Sequence, residues 1–325
     1  MSLENRITAR CVVPPELSDR RLDQAVAELL PEHSRSRLQH WIRDGRLTVN
    51  GEARKPRDKV MLGDVVTLDA EPEAQVSWQA EAIDLDIVYE DEHLLVINKP
   101  PGLVVHPAAG HAEGTLVNAI LNYAPEVENL PRAGIVHRLD KDTSGVMVVA
   151  RSLIAHTSLV NQLQTRTMGR EYDAIIVGTL TGGGTVDAPI GRHPKERKKM
   201  AVVGTGKPAV THYRLAERFA AHTHVRCKLE SGRTHQIRVH MAHIRHPLVG
   251  DPAYGGRLRL PKGTTEALRE VLSAFHRQAL HARQLTLEHP ETGEVMSWEV
   301  PLPEDFVELA EALRTHAREL AARDV

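Results

Sequence analysis

The sequence predicts an α+β protein: a large domain built on a mixed, mostly antiparallel sheet, preceded by a small α/β unit. Three observations lead there. After residue 83, short Val/Ile-rich runs alternate with Gly and Pro turns, helices are interspersed, and no repeating βαβ unit appears. Before that point, two amphipathic helical patterns run into a strong hairpin signal. A chain of 325 residues is long enough for one large and one small domain.

The small unit is read element by element. Leu22, Ala25, Val26, Leu29 and Leu30 recur at helical spacing, and Pro31 stops that helix. Ser34 is placed to cap a second helix with Leu38, Trp41 and Ile42 as its apolar stripe, and Gly45 ends it. Arg46–Val49 reads as a strand, Asn50-Gly51 as a two-residue turn whose positions both tolerate positive φ, and Asp64–Leu68 as another strand. This domain is assigned residues 16–75. Residues 71–82 are acidic, with Pro72 and no strong periodicity, and the linker is set at 76–82, ahead of a large domain at 83–325. In that domain 87–89, 94–97, 146–150 and 174–177 read as strands, and 113–123, 153–165, 265–275 and 303–322 as helices. The last helix carries Phe306, Leu309, Ala310 and Leu313 as the stripe that packs it on its domain.

Composition narrows the class. Hydrophobic content of 41% and charged content of 26% are those of an ordinary globular protein. No run of eighteen apolar residues exists to span a membrane, the first residues lack a secretory h-region, and Cys11 and Cys227 are too few for a disulfide framework. A cytoplasmic monomer is expected, since no long heptad pattern is visible. The net charge of −2 hides a sharp segregation. Residues 35–59 hold eight Lys or Arg against three acids, 71–92 hold eight acids and no base, and 192–238 hold twelve bases against three acids. Two basic regions around an acidic link suit a polyanion, because phosphate contacts need local clusters rather than a global excess.

The motif search begins with absences. There is no Walker A loop, no Gly-x-Gly-x-x-Gly and no His-Glu-x-x-His, so no cofactor is expected. His240, His243 and His246 are spaced three apart, but Pro247 and the lack of a completing carboxylate or thiolate argue against a metal. Three polar clusters remain. Gly134-Ile-Val-His137-Arg138-Leu-Asp140-Lys141-Asp142-Thr-Ser-Gly145 is a charged loop bracketed by glycines ahead of an apolar strand. Arg170-Glu-Tyr172-Asp puts an aromatic among charges at a strand start. Gly232-Arg233-Thr-His235-Gln-Ile-Arg238-Val-His240 lays Arg and His along a possible helix that suits phosphate and base contacts. Spacing alone does not separate Asp140 from Asp142 as the functional acid.

Together with Asn98-Lys99-Pro100-Pro101-Gly102-Leu103 upstream, these clusters closely resemble the pseudouridine synthases of the RluA family. The likeness runs in the same order along nearly the whole chain, and the His-Arg-Leu-Asp motif followed by Thr-Ser-Gly is highly specific. The small unit resembles the S4 RNA-binding domain through Arg21-Leu22-Asp23, Ser34–Arg37, Gly45–Gly51 and Gly63-Asp64. An S4 unit in front points to the branch acting on 23S ribosomal RNA, free or in an assembling large-subunit particle, at uridines of the helix 69 stem-loop.

The resemblance implies a reaction and a cast. Uridine within RNA is isomerised by breaking the N1–C1′ bond, turning the base and bonding C1′ to C5, which requires one carboxylate and no cofactor. Asp140 takes that position, Arg238 is its cationic partner, and Tyr172 stacks on the target base. Arg138 fills the space left by the flipped nucleotide or holds it, His137 contacts RNA phosphate or is part of the loop structure, and Arg233 and His235 are further RNA contacts. In the S4 unit Arg35, Arg37, Arg43 and Arg46 face the RNA backbone. The rivals are a non-catalytic RNA-binding assembly factor, which has no need of an intact motif at Asp140, and a hydrolase using Asp140 with Asp142.

Overall fold

In the computed structural model, which describes residues 6–31, 33, 35–70, 78–106, 113–258, 260–261 and 263–323, the chain folds as two units, Met1–Ser77 and Trp78–Val325. The first unit contains β1 (Ile7–Val12), α1 (Leu22–Leu29), α2 (Arg35–Arg43), β2 (Leu47–Val49), β3 (Glu52–Ala53) and β4 (Val65–Ala70). Its sheet is antiparallel in the order β1-β4-β2-β3. β1 precedes residue 16, where the sequence reading began this domain, because Ile-Thr-Ala-Arg-Cys-Val buries only one weakly apolar face. Both helices put their predicted stripes inward: Leu22, Ala25, Val26, Leu30, Leu38, Trp41 and Ile42 are buried with Leu47, Val49, Val66 and Leu68. Asn50 and Gly51 both have positive φ, as the hairpin requires, and the Asn50 side chain bonds Asp64 and the Val65 amide to tie the turn to β4. Ser34, the expected cap of α2, lies outside the described residues.

Residues 78–82, assigned to a linker by their acidity, belong to the second unit. Trp78 packs on its core, the Gln79 carbonyl accepts from Asn118, and Glu81 receives the Gly114 amide. The elements that follow are β5 (Ile87–Glu90), β6 (Leu94–Lys99), α3 (Leu116–Tyr123), β7 (Ser144–Ala150), α4 (Leu153–Thr165), β8 (Gly169–Val177) and β9 (Gly184–Asp187). Next come β10 (Ile190–Arg192), β11 (Met200–Val202), β12 (Val210–Arg218), β13 (His222–Leu229), α5 (Gln236–His243), α6 (Glu266–Ala274), β14 (Leu280–Glu288), β15 (Val295–Glu299) and α7 (Glu304–Arg323). The expected mixed, mostly antiparallel sheet is present. Nine strands run β5-β6-β7-β14-β8-β13-β12-β9, with β15 also on β14, and only β7 and β14 are parallel. β10 and β11 form a separate hairpin.

The centre of this sheet is covered on both faces. On β6 and β7, Leu95, Ile97, Met147 and Val149 join the core with α3, while Leu94, Val96, Val146 and Val148 join the core with α4. That double burial is why 146–150 reads as an unbroken apolar run instead of an alternating one. α7 buries its predicted Phe306, Leu309, Ala310 and Leu313 against α6 and Ile175.

The two glycines that bracket the charged loop have a physical reason. A Cβ at Gly134 would lie 2.0 Å from the Ala150 carbonyl oxygen, and one at Gly145 2.1 Å from that of Ala282. Gly145 also has φ +117° and sits at the β7–β14 pairing. Gly145→Ala is expected to cost the second unit about 4 kcal/mol or more, since backbone must separate where it now pairs. A urea melt resolving the two units checks this; a midpoint shift confined to the first unit, or none, contradicts it.

Candidate active site

β7 and β14 meet where the charged loop enters the sheet, and several bonds hold that loop. The Thr143 amide donates to the Asp140 carbonyl at 3.1 Å, Gln278 donates to the Thr143 hydroxyl at 3.0 Å, and Ser144 bonds His281 Nδ1 at 2.9 Å. Lys99, at the end of β6, reaches the loop from the other side. Its ammonium is buried and donates to the carbonyls of Pro100, Leu103 and Lys141 at 2.8–2.9 Å. Burial pushes its pKa down to about 7 against the pull of Asp142 and Asp140. The Asn-Lys-Pro-Pro-Gly stretch thus braces the backbone one residue beyond Asp140.

Asp140 leaves this loop with its side chain 18% exposed, and Arg238 Nη1 donates to its Oδ2 at 3.0 Å. Arg238 stands on α5 and is itself fixed. Its Nε and Nη2 make a two-pronged contact to Asp251 at 2.7 and 2.9 Å, and its guanidinium lies 5.1 Å from the Tyr254 ring centroid. Burial opposes the charge, yet the carboxylates of Asp251 and Asp140 outweigh it and raise the Arg238 pKa. The Asp251 side chain is fully buried, and its Oδ1 also accepts the amides of Ala253 and Tyr254. Asp251 is therefore a rigid anchor that aims one free guanidinium prong at Asp140. Gly250-Asp251-Pro252 has turn-forming composition, and nothing in the sequence pairs it with Arg238.

His235 is the last residue before α5 and adopts the left-handed conformation with φ +58°. Its Nε2 lies 3.8 Å from Asp140 Oδ1, and its Nδ1 bonds the Tyr254 hydroxyl, which accepts the Met200 amide. Burial lowers its pKa despite Asp140, so the ring is neutral at neutral pH. These groups open on a cavity of about 640 Å³ whose lining includes Asp140, Tyr172, Arg238, Arg138, Arg233 and His235. Tyr172, on β8, is buried, and that burial raises its pKa. Arg138 is exposed; Arg233 is half-buried and donates to the Pro208 carbonyl.

Two further residues of the loop are placed by the structure. His137, read as a phosphate contact or as loop structure, accepts the Val148 amide through Nε2, and burial drives its pKa to about 3. It is a neutral brace for β7 and supplies no cation to phosphate. Asp142, the rival acid, lines a different surface depression with Phe275, Arg277 and Asp305. The other carboxylate lining the Asp140 cavity is Glu230, which bonds His212 at 2.7 Å and pairs with Arg166 at 3.3 Å. The histidines spaced three apart also part company: His240 is committed to Thr211 and the Ala188 carbonyl, and His246 to the Val177 carbonyl.

In the first unit Arg35, Arg37, Arg43 and Arg46 are exposed. They are not equivalent. Arg35 donates at 3.1 Å to Asp23, a fully buried carboxylate that also binds Arg21 and Gln39. Arg37 stacks over Trp41 at 5.7 Å. Among the described residues, Arg43 reaches Gln39, at 3.5 Å.

A sheet of this topology, with an Asp–Arg pair in a cavity walled by a buried tyrosine, defines a class. The family described as RNA pseudouridylate synthase matches residues 93–243, the S4 domain matches residues 20–66, and the chain belongs to the RNA pseudouridine synthases. Its relatives are close. It is 62% identical over 312 residues to ribosomal large subunit pseudouridine synthase D of Pseudomonas aeruginosa, covering 96% of this chain and 98% of that one. It is 54% identical over 318 residues to the protein of the same description from Escherichia coli strain K12, covering 98% of each. Among solved structures, human RNA pseudouridylate synthase domain containing 4 aligns with a TM-score of 0.56 at 29% identity, over 70% of this chain and 93% of that one. Human RNA pseudouridylate synthase domain containing 1 gives 0.52 at 26%, over 75% and 98%. No helix among the described residues is long and apolar enough to cross a membrane.

Proposed function

We propose that this enzyme isomerises specific uridines of 23S ribosomal RNA to pseudouridine, in the helix 69 stem-loop, with Asp140 as its catalytic carboxylate. The observation that carries the reading is the placement of Asp140 beside a doubly anchored arginine, in a cavity large enough for one flipped nucleotide. Attack on the sugar, attack on the base, and removal of the 2′ proton all begin from an ionised aspartate shielded from water. Such a carboxylate needs a fixed cation, and Arg238 supplies it. Tyr172 offers the stacking wall, Arg138 holds the flipped nucleotide at the cavity, and Arg233 and His235 line its approach. The substrate class follows the printed names of the two bacterial relatives. The protein works as a monomer in the cytoplasm, where this RNA is made.

Two measurements test it. Transcripts carrying 5-tritiated uridine should release tritium, because C5 loses its hydrogen when it bonds C1′. Ribosomal RNA from cells lacking the protein should lose pseudouridine at helix 69. Tritium release with helix 69 unchanged would move the site elsewhere, and no release at all would overturn the reaction.

The S4 surface gives a separate expectation. Arg43→Ala should lower the slope of log affinity against log salt by about one phosphate contact. Arg43 is the cleaner probe than Arg35, whose loss also strips a partner from buried Asp23. An unchanged slope by filter binding across salt concentrations would take the α2 face off the RNA.

A further inference from the structure

Arg170 lies two residues before Tyr172 on β8, so both side chains leave the same face of the strand. Both line the cavity of Asp140. Arg170 is 7% exposed, its Nε has no hydrogen-bond partner, and no hydrogen bond or ion pair of its guanidinium is found among the described residues. The cavity's carboxylates are engaged elsewhere, Asp140 by Arg238 and Glu230 by His212 and Arg166. Gly232, which also lines the cavity, lies against the guanidinium: a Cβ there would sit 2.5 Å from Nη1. A guanidinium cannot shed its proton, so one whose Nε is buried without a partner, and whose residue is largely buried with no counter-charge among the described residues, is an unfavourable arrangement unless an anion enters from the cavity.

We infer that Arg170 binds a phosphodiester of the substrate strand next to the flipped uridine, its fork closing on the phosphate oxygens. This rests on the RNA-uridine reading above. A uracil carbonyl is neutral and would leave the charge uncompensated, whereas a phosphodiester carries a full negative charge and matches the planar fork. Arg166 and Arg233, lining the same cavity, would steer the strand towards it.

The test uses the full-length protein and helix 69 stem-loop RNAs. In these, one methylphosphonate at a time replaces the phosphate 5′ or 3′ of each loop uridine. At one position wild type should lose about ten- to a hundred-fold in affinity. Arg170→Met should show that loss on unmodified RNA and no further loss on the neutralised one. Gly232→Ala, which keeps the charge but crowds Nη1, should behave in the same direction. The melting temperature of Arg170→Met should equal or exceed that of wild type, because the variant removes an uncompensated buried charge. Additive losses at every position, a lower melting temperature, or failure of Arg170→Met to fold would each overturn the assignment and make Arg170 structural. Pseudouridine formation by wild type is read on the same RNAs. If it is absent while the coupling holds, the uridine assignment falls and the phosphate subsite stands.

Discussion

Asp140→Asn should lower pseudouridine formation by about 10⁴-fold or more while RNA affinity stays level or tightens. The substitution keeps shape, and its amide oxygen still accepts from Arg238 Nη1, now 3.0 Å from Oδ2, so the loop has no reason to move. What disappears is the nucleophilic or basic lone pair with its charge, the one property every route to C1′–C5 bonding needs. Affinity does not fall because an anion has been removed from a cavity lined by arginines, which eases the approach of phosphate. Single-turnover tritium release and equilibrium binding, read on one preparation, separate the two effects. Turnover within a hundred-fold of wild type would remove Asp140 from the chemistry. An Asp142→Asn variant is the control, since that side chain faces a different depression.

How much of this was legible in the sequence depended on whether the signal was local. The helices of the first unit were, because Leu22, Val26, Leu38 and Ile42 repeat at helical spacing and Asn50-Gly51 encodes its own backbone geometry. α7 was legible for the same reason, through Phe306, Leu309, Ala310 and Leu313. The strands β9 to β13 were not assigned, because His, Arg and Thr interrupt them and their burial depends on partners far along the chain. At the site, Asp140 stood out through its motif alone. Its difference from Asp142 became physical only when the fold sent the two side chains into separate depressions. For His137 the sequence left phosphate contact and loop structure open, because a histidine beside an arginine suits either, and its ring serves the β7 backbone. Lys99 and Arg170 were hidden differently: both are cations that the fold buries, against the prior that Lys and Arg stay outside.

Asp251 is the sharpest case of a residue whose hold on Arg238 only the fold reveals. Asp251→Ala should cost about 3–5 kcal/mol of stability in the second unit, because a guanidinium 5% exposed loses both prongs of its anchor. The same variant should cut kcat by about 10²-fold with KM nearly unchanged. Arg238 keeps its charge and its bond to Asp140, but the pair can now swing as a unit. A reacting carboxylate displaced by an ångström loses rate without losing the substrate, since the proposed phosphate and stacking contacts do not involve Asp251. Asp251→Asn divides the two contributions. It retains an oxygen for the amides of Ala253 and Tyr254, which fixes the turn, but turns one acceptor facing Arg238 into a donor. Stability should therefore recover more than kcat does. If kcat recovers fully in Asp251→Asn, Asp251 holds the turn and nothing more, and the aim of Arg238 at Asp140 is set by its helix and by the Tyr254 ring.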